Sequence, residues 1–129
     1  MDDKKIPAHN SMRVLPNDVI ELVQAGYQTT ASITEYQARI DEIVRQRRAA
    51  RKKALLLADI SGITGHEPKV RQLAHDMLNS DFDALAVVTA SNITARLIGN
   101  WLVKLVGVGQ RVQFFGSREE ALAWLKRKH

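Results

Sequence analysis

A chain of 129 residues, 45% hydrophobic and 26% charged, has the composition of one ordinary globular domain with one substantial core. It has no cysteine, which excludes disulfides and thiolate metal sites and fits a reducing, cytoplasmic setting. The formal net charge of +5 admits an acidic partner, and no apolar run reaches the roughly 18 residues of a membrane-spanning helix.

The polar start carries Pro7 and no apolar stretch behind Met1, so residues 1–10 read as a flexible lead-in without a secretory signal. The domain itself is expected over residues 11–129. Met12–Leu15 and Val19–Val23 are β-prone runs separated by Pro16, Asn17 and Asp18. Proline fixes φ, and Asn and Asp tolerate turn geometry, so these runs form a hairpin that Ala25, Gly26 and Tyr27 end. A first helix starts at Ser32 or Thr34, since Ser32 with Glu35 and Thr34 with Gln37 both fit a capping box. Tyr36, Ile40, Ile43 and Val44 form its apolar face.

The stretch Ala54 to Gly62 is a short apolar run that stops in Asp59, Ser61 and Gly62. Such a run reads as a strand buried on both faces, at the centre of a sheet. A loop from Ser61 to Glu67 follows, with Pro68 at the first position of the next helix. Val70, Leu73, Ala74, Met77 and Leu78 supply that helix's buried stripe. Ala84–Val88 is a second buried strand. Thr89, Ser91 and Asn92 offer caps to a third helix with Ile93, Leu97, Ile98, Trp101 and Leu105 on its apolar face. Gly107 and Gly109 end it. Arg111–Phe115 is the last strand, and Ser117 with Glu120 opens the terminal helix around Leu122, Trp124 and Leu125. The order is β-β-α-β-α-β-α-β-α. Strands alternating with crossover-length helices imply a mixed, mostly parallel α/β sheet with the antiparallel hairpin at one edge.

This order, and the ending from Val112 to Leu125 with its Glu119, Glu120, Ala121, Trp124 and Leu125, resembles the STAS family. That is the anti-sigma-factor-antagonist fold of bacteria, usually described beside lipid-carrier-like relatives. The end of the central strand at Asp59–Gly62 and the Ala86–Thr89 strand also fit the resemblance, which covers Met12 to Lys128. It implies a STAS-like single domain and a regulatory role through a protein partner. In phosphoregulated members the loop after the central strand carries Asp-Ser-[Ser/Thr]-Gly, and a kinase modifies its hydroxyl at a helix N-terminus. Here the stretch is Gly62 to Pro68 and holds no Asp-Ser pair. Thr64 is the hydroxyl nearest that position and Ser61 lies earlier. The departure argues against the usual phosphorylation switch.

Two loops, Asp59–Glu67 and Thr89–Asn92, are expected side by side at the C-terminal edge of the sheet, where helix N-termini favour anions. Asp59, Ser61, Thr64, His66, Ser91 and Asn92 are the candidate ligand or partner residues. The plainer reading is that Ser91 or Asn92 caps a helix while Asp59 and Ser61 satisfy loop backbone. His66-Glu67 begins a zinc pattern that Val70 breaks, and no metal or cofactor is expected. No G-x-S-x-G, Walker A or G-x-G-x-x-G motif occurs, so no catalytic residue is assigned and the chain reads as a non-enzyme.

The basic run Arg45, Arg47, Arg48, Arg51, Lys52 and Lys53 either ends the first helix with dipole-complementing cations or grips phosphates. It has no interleaved aromatics, so nucleic acid is disfavoured as a partner. Leu102, Val103, Val106 and Val108 add apolar surface that would serve a homodimer, a pocket for a small apolar or anionic ligand, or deeper burial of the third helix. The leading reading is a regulatory protein-interaction module; the alternative is a carrier of a small ligand or lipid.

Overall fold

The computed structural model describes residues 6–78, 80–89 and 111–128. It contains β1 (Ser11–Val14), β2 (Ile20–Gln28), α1 (Thr30–Ala49), β3 (Leu55–His66), α2 (Val70–Met77), β4 (Ala84–Val88), β5 (Val112–Phe115) and α3 (Arg118–Lys128). The strands form one sheet in the order β1-β2-β3-β4-β5. Strand β1 pairs antiparallel with β2, and every later pairing is parallel. The expected mixed sheet, edge hairpin and central strand are all present. The third helix expected over Ile93–Leu105 and its flanking apolar residues lie outside the described residues.

The hairpin turn uses its residues as their chemistry suggests. Asp18 adopts φ 68°, its N–H donates to the Leu15 carbonyl at 2.9 Å, and the Leu15 N–H donates to Val19 at 2.8 Å.

Four boundaries differ from the sequence reading. Strand β2 does not stop at Ala25–Tyr27 but runs to Gln28, because Gly26 at φ 80° is absorbed inside the strand rather than spent in a turn. Strand β3 likewise continues through the expected loop to His66, keeping pace with β2 by register shifts between Val23 and Ala25 and between Gly26 and Tyr27. Helix α1 starts at Thr30, with Thr29 as its N-cap and Ser32 as the reciprocal partner. A serine in place of the usual Glu or Gln makes this box hard to see in sequence. Pro68 sits in the turn before α2, whose N-cap is Lys69.

The pleat of β3 sorts its residues between two apolar layers. Leu56, Ala58 and Ile60 face one layer with Tyr36, Ile40 and Val44 of α1 and with Leu78 and Phe82. Leu55 and Leu57 face the other, with Ala84, Ala86 and Val88 of β4 and Ala121, Trp124 and Leu125 of α3. The sheet is therefore covered on both faces, which explains why β3 and β4 read as continuous apolar runs.

Residues 6–10 are tied along β2. The Tyr27 N–H donates to the Ile6 carbonyl at 2.8 Å and the His9 N–H to the Ala25 carbonyl at 3.0 Å. A Cβ at Gly26 would stand 2.1 Å from the Pro7 carbonyl oxygen. Gly26→Ala is accordingly expected to lose about 2 kcal/mol of stability and to release this segment, because left-handed strain and the backbone collision act together. Thermal unfolding and amide exchange at Tyr27 check both effects.

Glu21 joins the edge strand, β2 and α3. Its carboxylate accepts from Arg13 Nε at 2.6 Å and from Arg118 Nε at 2.8 Å. Burial alone would raise its pKa, but hydrogen bonds and charge from Arg118 and Arg13 together hold it below the ordinary 4.5. A depressed folded-state pKa stabilises above the unfolded value and is lost as pH falls through the folded value. Acidification below about pH 4.5 should therefore weaken the fold, and Glu21→Gln should flatten that part of the stability–pH curve measured by urea unfolding.

Candidate functional site

The expected ligand loop at Asp59–Glu67 is strand through His66 in the structure, and this changes what its residues can do. Each of Asp59 and Gly62 pairs with β2, as do Ile63, Gly65 and His66. The Ser61 hydroxyl and N–H both donate to Asp59 Oδ1, at 2.5 and 3.0 Å. Alternation with Ala58 and Ile60 puts Asp59 and Ser61 on the α3 side of the sheet. The bulges then bring Ile63 back to the α1–α2 side, and His66 lines a cavity there. Asp59 and Ser61 thus lie on one face of the sheet and His66 on the other, instead of converging. Thr64 lies within β3 and is not at the start of a helix. Ser91 and Asn92 lie outside the described residues.

Glu67 has a task the sequence did not reveal. Its Oε1 accepts the Thr30 N–H at 2.6 Å, placing a carboxylate on the N-terminus of α1. Its own N–H donates to the Gln28 carbonyl at 2.9 Å, which ties the ends of β2 and β3 together.

The basic run is dispersed by its partners. The buried Arg47 donates to the Asp18 carbonyl at 2.7 Å and to Asp18 Oδ1 at 3.3 Å. Arg48 spans Asp81 and Asp83, with contacts of 3.0 and 2.8 Å. The hydrogen bonds and charges of these two aspartates raise the Arg48 pKa further. Arg45 pairs with Glu42, and Lys53 Nζ donates to the Lys128 carbonyl at 2.9 Å. Arg51 and Lys52 stay exposed after the helix end. Arg47 and Arg48 are thus engaged by groups of distant turns, whereas Arg45, Arg51, Lys52 and Lys53 lie on the exposed surface. Asp83 also accepts the Ala54 N–H at 2.7 Å and so fixes the entry to β3.

One concave feature of this fold is a cavity of about 80 Å³ between the sheet and helices α1 and α2. Its walls are Leu22, Ile40, Ile60, Val70, Met77 and Phe114 among others, and Gln24, Gln28, Gln37, His66 and Ser80 supply its polar atoms. Among the described residues no Lys, Arg, Asp or Glu lines it. The sequence reading passed over Gln24 and Gln28 and gave Gln37 only a capping role. A signal was available: Gln24 and Gln28 occupy the alternating positions that begin with the buried Ile20 and Leu22, so polar residues stand where the strand pattern calls for core.

The Gln28 side chain is fully buried and well partnered. Its amide donates to the Ala25 carbonyl at 2.8 Å and exchanges hydrogen bonds of 3.1 Å with the Asn10 amide. Tyr36 closes the same wall, its hydroxyl donating to the Ser11 carbonyl at 2.5 Å. Burial pushes this phenol above its ordinary pKa. Among the described residues no group of three His, Cys, Asp or Glu could hold a metal ion, and no helix is long and apolar enough to cross a membrane.

A family model described as SpoIIAA-like matches residues 19–126. The chain belongs to the SpoIIAA-like family. That match spans both apolar layers and the strands that wall the cavity. Two solved structures share the fold of the family. An uncharacterized DUF3478-family protein with a SpoIIAA-like fold from Shewanella loihica superposes with a TM-score of 0.64 at 16% identity, over 93% of this chain and 94% of that one. An anti-sigma factor antagonist from Mycobacterium paratuberculosis gives a TM-score of 0.66 at 14% identity, over 93% and 95%. No curated protein matches this chain.

Proposed function

We propose that this chain is a non-enzymatic, cytoplasmic regulatory module that recognises a protein partner without a phosphorylation switch. The observation that carries this reading is the commitment of residues 59–66 to the sheet. Ser61 and Thr64 lie within β3, whereas α2 begins at Val70 behind the Glu67–Lys69 turn. A phosphate on either hydroxyl would not sit on that helix N-terminus, where its charge would be favoured. What faces outward at this end is the turn and α2, with Arg71, Gln72 and Asp76 exposed. A sheet covered on both faces holds them rigidly, as a recognition surface requires. The fold shared with an anti-sigma factor antagonist supports a protein as the partner class.

Native mass spectrometry on freshly purified protein tests the reading, joined to a photo-crosslinker placed at Gln72. A discrete crosslinked complex is the expected result, and a mass at a multiple of 14.5 kDa identifies a second copy as the partner. Complex formation should survive Ser61→Asp and Thr64→Asp. Phosphate found on either residue, with loss of the complex in the matching variant, would sink the claim that no switch operates here.

The cavity favours a second reading, a carrier of a small apolar ligand. Reproducible extra mass that denaturation removes would mark a ligand and its chemical class.

A further inference from the structure

The beginnings of β2, β3 and β4 lie side by side, since Ile20 pairs with Leu56 and Leu55 with Ala84. Helices α1 and α3 both finish at this end of the sheet, where Lys53 Nζ donates to the Lys128 carbonyl. Two basic clusters far apart in sequence, residues 51–53 and 126–128, therefore share one end face that runs from the α1 layer across to the α3 layer. Arg51, Lys52, Lys53, Lys126 and Arg127 are exposed on it. Asp18, Asp81 and Asp83, at the same end, are engaged by Arg47 and Arg48. Residues 90–110 contain no Asp or Glu.

Arg51 carries a second signal. It adopts φ 58° just past α1, where its N–H donates to the Arg48 carbonyl at 3.0 Å and the Lys52 N–H to the Arg47 carbonyl at 2.9 Å. This pair of bonds closes a helix most readily with glycine in the left-handed position. An arginine there is strained by its Cβ, so backbone preference gives no account of it, and what the position gains is an exposed guanidinium. Complementing the helix dipole accounts for Lys126, Arg127 and Lys128 in the last turn of α3. It does not account for the cations at 51–53, which lie beyond the end of α1.

We propose that this end face docks on the surface of an anionic lipid bilayer. Three features favour a bilayer over other polyanions. The cations spread across both layers of the fold, a broad face and not a groove. The helices meet it with their C-termini, so it lacks the helix N-terminal N–H groups that grip the discrete phosphates of a duplex. A bilayer's surface potential acts on long basic side chains without such contacts. Val14 is the one large apolar side chain exposed among the described residues, at 50%, and its pairing with Ile20 puts it at this same end beside the exposed Pro16. A lipid interface takes up such a side chain, whereas a duplex or an acidic peptide gives it nothing. Helix α2 begins at the opposite end of the sheet, after His66, so a bilayer here leaves the proposed partner surface free.

The test is co-sedimentation of the full chain with phosphatidylcholine vesicles that contain about 30% phosphatidylserine, against phosphatidylcholine alone. The anionic vesicles should bind at least about tenfold more tightly, and the binding should vanish between about 0.1 and 0.5 M salt. Arg51→Gly should weaken it about fivefold, the effect of one cation at such a surface. The same variant should raise the thermal midpoint by about 4 °C, because glycine removes the left-handed strain. Arg39→Ala removes an equally exposed charge about 18 Å back along α1 and should leave binding unchanged. Lys126→Gln with Arg127→Gln should weaken it about twentyfold from the α3 side, and Val14→Ser about threefold. Equal binding to both kinds of vesicle, or equal losses from Arg51→Gly and Arg39→Ala, would overturn the proposal. Tighter binding to duplex DNA or to a poly-glutamate peptide than to the anionic vesicles would overturn it too, and would name the other occupant.

Discussion

Leu57→Ala is expected to lower the unfolding free energy by about 3 kcal/mol. Leu57 is fully buried on the central strand, in the layer that packs against α3. Trp124 and Leu125 lie in the same layer, and the Phe115 ring packs tilted against Trp124, with centroids 5.7 Å apart. A void left there is closed in by a sheet on one side and a helix on the other, so collapse around it is limited. The adjacent Leu56 provides the control, because it faces the opposite layer and lines the cavity. Its truncation enlarges a space that already exists, and the expected loss is smaller, about 2 kcal/mol. Urea unfolding of both variants makes the comparison. Equal losses would mean that the two layers are packed alike and that the cavity does not soften its side of the sheet.

Gln28→Ala is expected to cost about 3 kcal/mol, from a different source. The substitution removes a buried side chain and also takes partners from Asn10 and from the Ala25 carbonyl. Asn10 belongs to the segment running along β2, so the variant should exchange the Tyr27 and His9 amides faster than the native chain does. Asn10→Ala should cost less alone, since Asn10 is half-buried. The double variant should lose less than the sum of the two single losses, because the reciprocal amide pair can be broken only once. Additive losses would show that the pair is not coupled.

Much of the architecture can be read from local sequence. Apolar runs at Leu55–Ile60 and Ala84–Val88 specify strands buried on both faces, because few other short elements are apolar without a period. Pro16, Asn17 and Asp18 specify the hairpin turn through their own backbone preferences. Ser117 caps α3 as its spacing predicts, its hydroxyl accepting the Glu120 N–H at 3.2 Å. These features depend on interactions within a few residues, which is why the chain displays them openly.

The candidate site was less legible, and the reason is long-range. Gly62 and Gly65 resemble loop punctuation, yet β2 pairs with the same residues through two register shifts and turns them into strand. That choice belongs to the partner strand and cannot be made locally. Arg47 and Arg48 look like surface cations until Asp18, Asp81 and Asp83 are brought to them from distant turns. The sequence by itself determined the order of elements, the two-sided burial of the central strands and the turn chemistry, because each rests on periodicity or local backbone preference. Tertiary structure alone decided which residues share a face and which cations are engaged by distant carboxylates, because those depend on groups that only the folded chain brings together.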